Sequence, residues 1–388
     1  MRMQKKTTAL TTLATFTGLA ILLGIFCPQS LPAQRNVSKF EFDPYWPKPL
    51  PDRWITGQVG GVCVDGRDRV FILNRRDLTE NELDAGHQAP PVIEFDPDGN
   101  VINSFGDPAV VPSNLHDCKV DRENNVWLTG AADAIVQKYS PDGKLLLQIG
   151  KKGVFDSSDG TIKGSPLNAS HTAFFKPAGI AIDPENGDVY IADGESPGGN
   201  HRVAVFDRNG QFLRQWELQR TEAEVAQLAR VTLYPLDKVP GDAFVPVPHC
   251  VGMDIDGQVY VCDRRARQLQ VFDRMGNFKK KILIPFEQRS QYQTSPGFMP
   301  GMRGSAVHVS FSTEREQRFI YVVNEDDEQV EILDRASGQI LSSFGRAGHQ
   351  TGEFTRIHNS AVDSKGNLYI GEVRAGGKVM KFKIVDNQ

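Results

Sequence analysis

The 388-residue chain has little excess charge of either sign, with Lys+Arg 44 against Asp+Glu 48 and a formal net charge of −4. No basic run appears beyond the first few residues, so the electrostatic footprint of a nucleic-acid binder is missing. Cysteines are few, five in all. Beyond residue 26 no apolar run is long enough to span a bilayer. There is no Walker loop, no HExxH, no dinucleotide fingerprint and no G-x-S-x-G elbow, which removes the commonest nucleotide, zincin and serine-hydrolase readings. No Pro-, Ser- or Gly-rich linker divides the chain, so a single domain is expected. Apolar content of 39% and charged content of 24% suffice for a packed core and exclude general disorder.

What is present begins with a leader. "MRMQKK" precedes the apolar run Thr7–Phe26 and then "CPQSLPAQ". This is the layout of a secretory signal, with cleavage expected after Ala33. A signal-anchored chain is the less favoured alternative, because small residues follow the run. The mature protein is therefore expected to be exported, periplasmic or secreted, with no membrane association after cleavage. Export permits disulfides. A bridge between Cys250 and Cys262 is compatible with opposed strands, but Cys63, Cys118, Cys250 and Cys262 read first as small buried thiols.

The rest of the chain is one unit repeated. "PHCVGMDIDGQVYVCDRRARQLQVFDRMGNFKKKI" contains four short segments of alternating hydrophobicity separated by turn residues. Four antiparallel strands in about 40 residues is the pattern of a propeller blade. Related units begin at "GGVCVDGRDRVFILNRR", "LHDCKVDRENNVWLTG", "KPAGIAIDPENGDVYIADG", "SAVHVSFSTEREQRFIYVVNEDD" and "IHNSAVDSKGNLYIGEV". The expected fold is all-β, a six-bladed β-propeller of four-stranded antiparallel blades. Residues 1–33 form the signal, 34–54 an N-terminal arm that packs on the blades or completes one, and 55–388 the propeller. Insertions at 77–91, 151–173 and 218–245 interrupt the units. The last contains "TEAEVAQLAR", a short helix candidate. Ordered insertions of this length are often functional.

Three of the eight histidines occupy one slot of the repeat. His116, His249 and His358 each precede the aspartate of a strand-ending turn by five residues, at Asp121, Asp254 and Asp363. The first strand of a blade lines the central channel, and these blades are the second, fourth and sixth. Alternate blades of a six-membered ring are related by threefold rotation, so three imidazoles converge on the axis. A lone histidine in a strand is usually a satisfied core residue, whereas three in strict alternation point to a metal. Three neutral imidazoles with an open position form a catalytic zinc arrangement. Zinc is the first choice, and iron remains open because imidazole suits both.

A second register places Arg75 of "VFILNRR" with Arg264 of "VYVCDRR", both just past a strand end. Two guanidinium groups beside a metal suit a carboxylate ligand, which Arg grips bidentately. Solvated turn arginines are the alternative, and the adjacent Arg76 and Arg265 stand as substitutes.

"PAGIAIDPENGDVYIADG" followed by "RVAVFDRNGQFLRQW" resembles NHL-type six-bladed propellers. The three histidines, with "GQVGGVCVD...NRRD" and "VPHCVGMD...CDRR", resemble peptidyl-α-hydroxyglycine α-amidating lyase over most of 57–385. The resemblance implies zinc on His116, His249 and His358, arginines at Arg75 and Arg264, and cleavage of the C–N bond of an α-hydroxyglycine to an amide and glyoxylate. The family carries a tyrosine, proposed as the base, after blade three's second strand; here Glu195 occupies that place. The family also has an aspartate after the last-blade histidine at a channel calcium, where this chain has Asn359. Asp117 is a candidate to supply that charge.

The reading is therefore an exported metal-dependent carbon–nitrogen lyase. It would act on a small-molecule or peptide C-terminal α-hydroxy acid, with Glu195 as candidate base. Two alternatives stay open: a non-catalytic NHL propeller with a structural metal, and a propeller hydrolase such as a lactonase. The second usually places Glu, Asn and Asp around calcium, which a three-histidine ring fits poorly.

Overall fold

Each Asp-x-x-Gly turn of the repeat closes a hairpin in the same way. The Asp254 carboxylate accepts backbone N–H bonds from Asp256 and Gln258 at 3.0 and 2.9 Å. Asp65, Asp121 and Asp363 do the same in their own turns. Asx turns of this kind need a residue tolerant of positive φ at the fourth position. Gly257 (φ 76), Gly366 (φ 84) and Asn124 (φ 62) fill it.

The structure, a computed structural model, describes residues 37–195, 198–218, 220–223, 226, 246–286, 304–374 and 377–385. The expected signal segment 1–33 and most of 218–245 lie outside the described residues; of the helix candidate 221–230 only 221–223 and 226 are described, with 222, 223 and 226 helical. Among those described, six four-stranded antiparallel sheets form the blades of a propeller. Their inner strands are Val59–Val64, Leu115–Val120, Pro177–Ile182, Pro248–Met253, His308–Phe311 and Ile357–Val362. Each neighbours the next, and the last returns to the first, closing a ring. The fourth strand of blade six comes from the N-terminal arm. Lys39–Phe42 pairs antiparallel with Val379–Val385. The 77–91 insertion carries a one-turn helix, Glu80–Ala85, with a Thr79–Glu82 capping box, and pairs His87–Gln88 with Trp54–Ile55. Among the described residues, no helix is long and apolar enough to cross a membrane.

The core consists of six wedges between neighbouring blades. Trp127 and Val136 of blade two pack with Ile191 and Phe206 of blade three. Cys262 and Val271 of blade four meet Ile320 and Val322 of blade five. Trp46 of the arm joins Ile72 and Phe95 of blade one and Tyr369 of blade six. Second strands, sandwiched on both faces, are buried throughout, as in Val189–Asp193 and Val259–Asp263. Outer strands such as Ile340–Phe344 alternate. Phe206, 1% exposed, is a typical wedge residue, and its truncation to alanine would cost about 3–5 kcal/mol.

The four described cysteines are not free thiols, which corrects the reading from sequence. Cys250–Cys262 bridges paired strands of blade four, and Cys63–Cys118 joins the inner strands of blades one and two. The first pair stand directly opposite in register. The second meet only because the ring sets adjacent blades side by side, a neighbourhood that spacing along the chain does not reveal.

Candidate metal centre

The inner strands do not run regularly into the channel. In five of the six, the ladder shifts register at the first residues: Val59/Gly61, Leu115/Cys118, Pro177/Gly179, Pro248/Cys250 and Ile357/Asn359. A β-bulge leaves its extra residue unpaired and re-aims the side chain. His116, His249 and His358 each sit in such a bulge.

Their rings converge. Centroids lie 4.7 Å apart for His116–His249, 4.6 Å for His116–His358 and 5.0 Å for His249–His358, edge to face. One ring nitrogen from each falls within 4.8 Å of the others, and all three residues are buried. The Nδ1–H of His249 donates to the Val307 carbonyl at 2.8 Å, and that of His358 to Gly60 at 2.9 Å. A carbonyl can only accept, so in both rings the proton is on Nδ1 and Nε2 carries the lone pair. The Nε2 atoms of His116 and His249 are buried with no hydrogen-bond partner. Orphaned buried nitrogens are rare and point to an absent partner.

Electrostatics keep the rings neutral. Burial, then His358, His249, Arg75 and Arg264, hold His116 well below imidazole's ordinary 6.5. Burial and then Arg264 do the same for His249, with the Val307 carbonyl opposing. Burial, His249 and Arg75 depress His358, with Gly60 opposing. Neutral imidazole is the form that binds metal. The donor set, its burial and its orphaned lone pairs fit a divalent ion such as zinc.

Both arginines of the second register stand near the ring. Arg75 Nε donates to the Leu115 carbonyl at 2.9 Å and Nη1 to Gln58 Oε1 at 3.1 Å. Burial lowers its pKa to about 10, with Glu195 and Asp77 opposing; it remains a cation at neutral pH. Arg264 is 5% exposed, and its Nε has no hydrogen-bond partner. Its Nη1 lies 3.7 Å from Glu195 Oε1. Arg75, Arg264 and Glu195 thus share one mouth of the channel with the histidines. Arg76 instead donates to the Ala89 carbonyl, and Arg265 is buried beside Arg264.

The tier beneath the histidines does not fit calcium. Asp117 Oδ1 accepts from Cys118 N at 2.8 Å and Asn359 Nδ2 at 2.9 Å, and Oδ2 accepts from Ile180 N at 3.0 Å. Asn359 Oδ1 accepts from Val62 N. Calcium requires six to eight oxygens free to coordinate, and here they face N–H donors. Burial would raise the Asp117 carboxyl, but Lys119, His308 and the Ile180 N–H hold it below the usual range. Asn359 and Asp117 form a closed hydrogen-bonded pair.

Two residues at the channel were missed in the sequence. His308, buried in blade five, has Nδ1 3.0 Å from Ser360 Oγ and Nε2 3.7 Å from Asp117 Oδ1. Glu325, also buried, follows its blade's second strand as Arg75 and Arg264 follow theirs, and pairs with Arg356. Aligning "VYVCDRR" with "IYVVNED" would have exposed it.

Comparison with known proteins bears on the whole constellation. An NHL repeat matches residues 174–206. The chain is 26% identical over 347 residues to peptidyl-glycine alpha-amidating monooxygenase A of Xenopus laevis, covering 84% of this chain and 32% of that protein. It is 27% identical over 272 residues to peptidyl-alpha-hydroxyglycine alpha-amidating lyase 1 of Drosophila melanogaster, covering 66% of this chain and 42% of that protein. The chain thus spans about a third of the length of the first curated relatives it matches. A solved protein of unknown function from Bacteroides thetaiotaomicron shares the fold, with a TM-score of 0.52 at 14% identity over 85% of this chain and 70% of that one.

Proposed function

We propose that this NHL-repeat propeller, similar in sequence to amidating enzymes, is an exported metal-dependent carbon–nitrogen lyase acting on an α-hydroxyglycine-like substrate. One observation carries the reading: three buried imidazoles with convergent ring nitrogens, beside two arginines and a carboxylate at the same channel mouth. The expected leader and the two disulfides support export. The substrate is a small molecule or a peptide C-terminus, with no nucleic-acid or membrane partner.

A divalent ion on His116, His249 and His358, zinc first, would supply Lewis acidity that lowers the pKa of a substrate hydroxyl. Arg75 and Arg264 receive the substrate carboxylate and fix the α-carbon between them. Glu195, within reach of Arg264, accepts the hydroxyl proton. The carbon–nitrogen bond breaks as the carbon–oxygen double bond forms, and the proton is returned to the departing amide nitrogen. An N-acyl-α-hydroxyglycine thereby gives an amide and glyoxylate with no net change in protons. The depth of the histidines, each 5% exposed or less, keeps bulk water from the reacting carbon.

The test is metal analysis coupled to a glyoxylate assay with an N-acyl-α-hydroxyglycine. About one divalent ion per chain, lost together with glyoxylate release in His249→Ala, is expected. Full metal retention in that variant defeats the site. Metal without glyoxylate release favours a binding protein with a structural ion.

A further inference from the structure

The channel has a second end. Three and four residues past the histidine slot, the inner strands line a cavity of about 250 Å³. At ~3.3 Å per residue, this places it roughly 10 Å along the strands from the metal centre. Most of its lining residues are apolar in type, including Val64, Ile182, Met253 and Phe311, although its accessible wall is more polar than apolar. Lys119, half-buried, is the one charged residue on the wall. Among the described residues it makes no hydrogen bond or ion pair. Asp117, two positions earlier, influences it electrostatically, but the oxygens of that carboxylate are taken by the N–H groups of Cys118, Ile180 and Asn359.

Hydroxyl groups stand on the same wall. Ser310 and Ser360 both line the cavity, with their Oγ atoms 3.0 Å apart. The backbone N–H and the Oγ of Ser360 both reach His308 Nδ1, at 3.2 and 3.0 Å. A backbone N–H can only donate, so Nδ1 is an acceptor, and the Ser360 hydroxyl donates to it as well. The Ser310 O–H can donate to Ser360 Oγ, and because a hydroxyl hydrogen rotates it can turn to a ligand instead. A cation and a rotatable hydroxyl donor among apolar side chains describe the complement of a carboxylate on a short hydrocarbon chain.

We propose that this far mouth is a second binding site, for a small carboxylate with a short hydrocarbon body, held by Lys119 and the Ser310 hydroxyl. At about 30 Å³ for each water-sized group, the chamber holds on the order of eight heavy atoms. Hexanoate is the matching probe. The site does not depend on the metal, because it shares no side chain with the histidine ring.

The experiment is calorimetric titration of the full chain with hexanoate and with hexanamide, its neutral isostere. Saturable binding of hexanoate is expected, with hexanamide at least about tenfold weaker. Lys119→Met should weaken hexanoate by a similar factor while Lys119→Arg retains it, and both variants should melt like the parent protein. His249→Ala, and protein treated with chelator, should bind hexanoate as before. Loss of binding in His249→Ala with retention in Lys119→Met would move the carboxylate to the arginine mouth and overturn the proposal. Equal affinity for the amide, or no saturation up to ~10 mM, overturns it as well.

Discussion

His358 donates its Nδ1–H to the carbonyl of Gly60 at 2.9 Å, across the seam between the last blade and the first. The ring that closes the propeller therefore also orients a metal ligand. Gly60 admits no substituent, because a Cβ there would collide with the Leu115 carbonyl and press on Arg75 Nε. Gly60→Val should displace both His358 and the Arg75–Leu115 bond. Losing an outer partner of a ligating histidine typically weakens metal by about 10–100-fold. Zinc titration monitored with a competing chelator measures this, and unchanged affinity would mean that the seam plays no part in orienting the ring.

Acid should destabilise the metal-free protein through the same residues. The folded-state pKa values of His116, His249, His358 and His308 lie below the ordinary 6.5. As pH falls below that value, the unfolded chain binds protons that the folded chain refuses. Stability therefore rises with pH across this window and is lost as pH drops. Calorimetry in chelator should show the melting temperature falling between about pH 7 and pH 5. His249→Gln should flatten the slope, and an equally steep slope in that variant would locate the titrating groups elsewhere.

The two disulfides close loops of different size, with sequence separations of 55 and 12. Loop-closure entropy predicts that removing Cys63–Cys118 costs about 1.3 kcal/mol more than removing Cys250–Cys262. Urea unfolding of the Cys63→Ser/Cys118→Ser and Cys250→Ser/Cys262→Ser double variants measures the difference. A larger loss from the blade-four pair would show that strain or residual structure outweighs chain entropy.

The blades were legible because their turns are local. An aspartate that caps its own hairpin, followed by a residue tolerant of positive φ, is written within five positions. The histidine slot was legible for a related reason, since equal spacing from those aspartates survives any error in strand boundaries. What depended on proximity around the ring was not legible. Cys63 and Cys118 lie on adjacent blades, and Lys39–Phe42 pairs with strand residues some 340 positions away. Nor does spacing announce a β-bulge, although bulges are what turn His116, His249 and His358 toward the axis. Asp117 looked like a charge in search of a cation, and only the surrounding N–H groups show its needs already met.

Glu195 is the residue on which the proposed chemistry can fail most informatively. It is a quarter exposed and 3.7 Å from Arg264, so it can reach a substrate that the arginine holds. Glu195→Gln keeps the shape and removes the proton acceptor. It should lower kcat by about 10²–10⁴ with little change in KM or metal content. Arg264→Met should instead raise KM, because the carboxylate grip is made in the ground state as well as the transition state. Glu195→Tyr, which restores the residue type of the resembled lyases, should recover turnover and move the acid limb of the pH profile upward, since a phenol ionises far above a carboxylic acid. An unchanged kcat in Glu195→Gln at full metal content would remove Glu195 from the reaction. Glu325, buried and in register with Arg264 on the neighbouring blade, would then be the carboxylate to test.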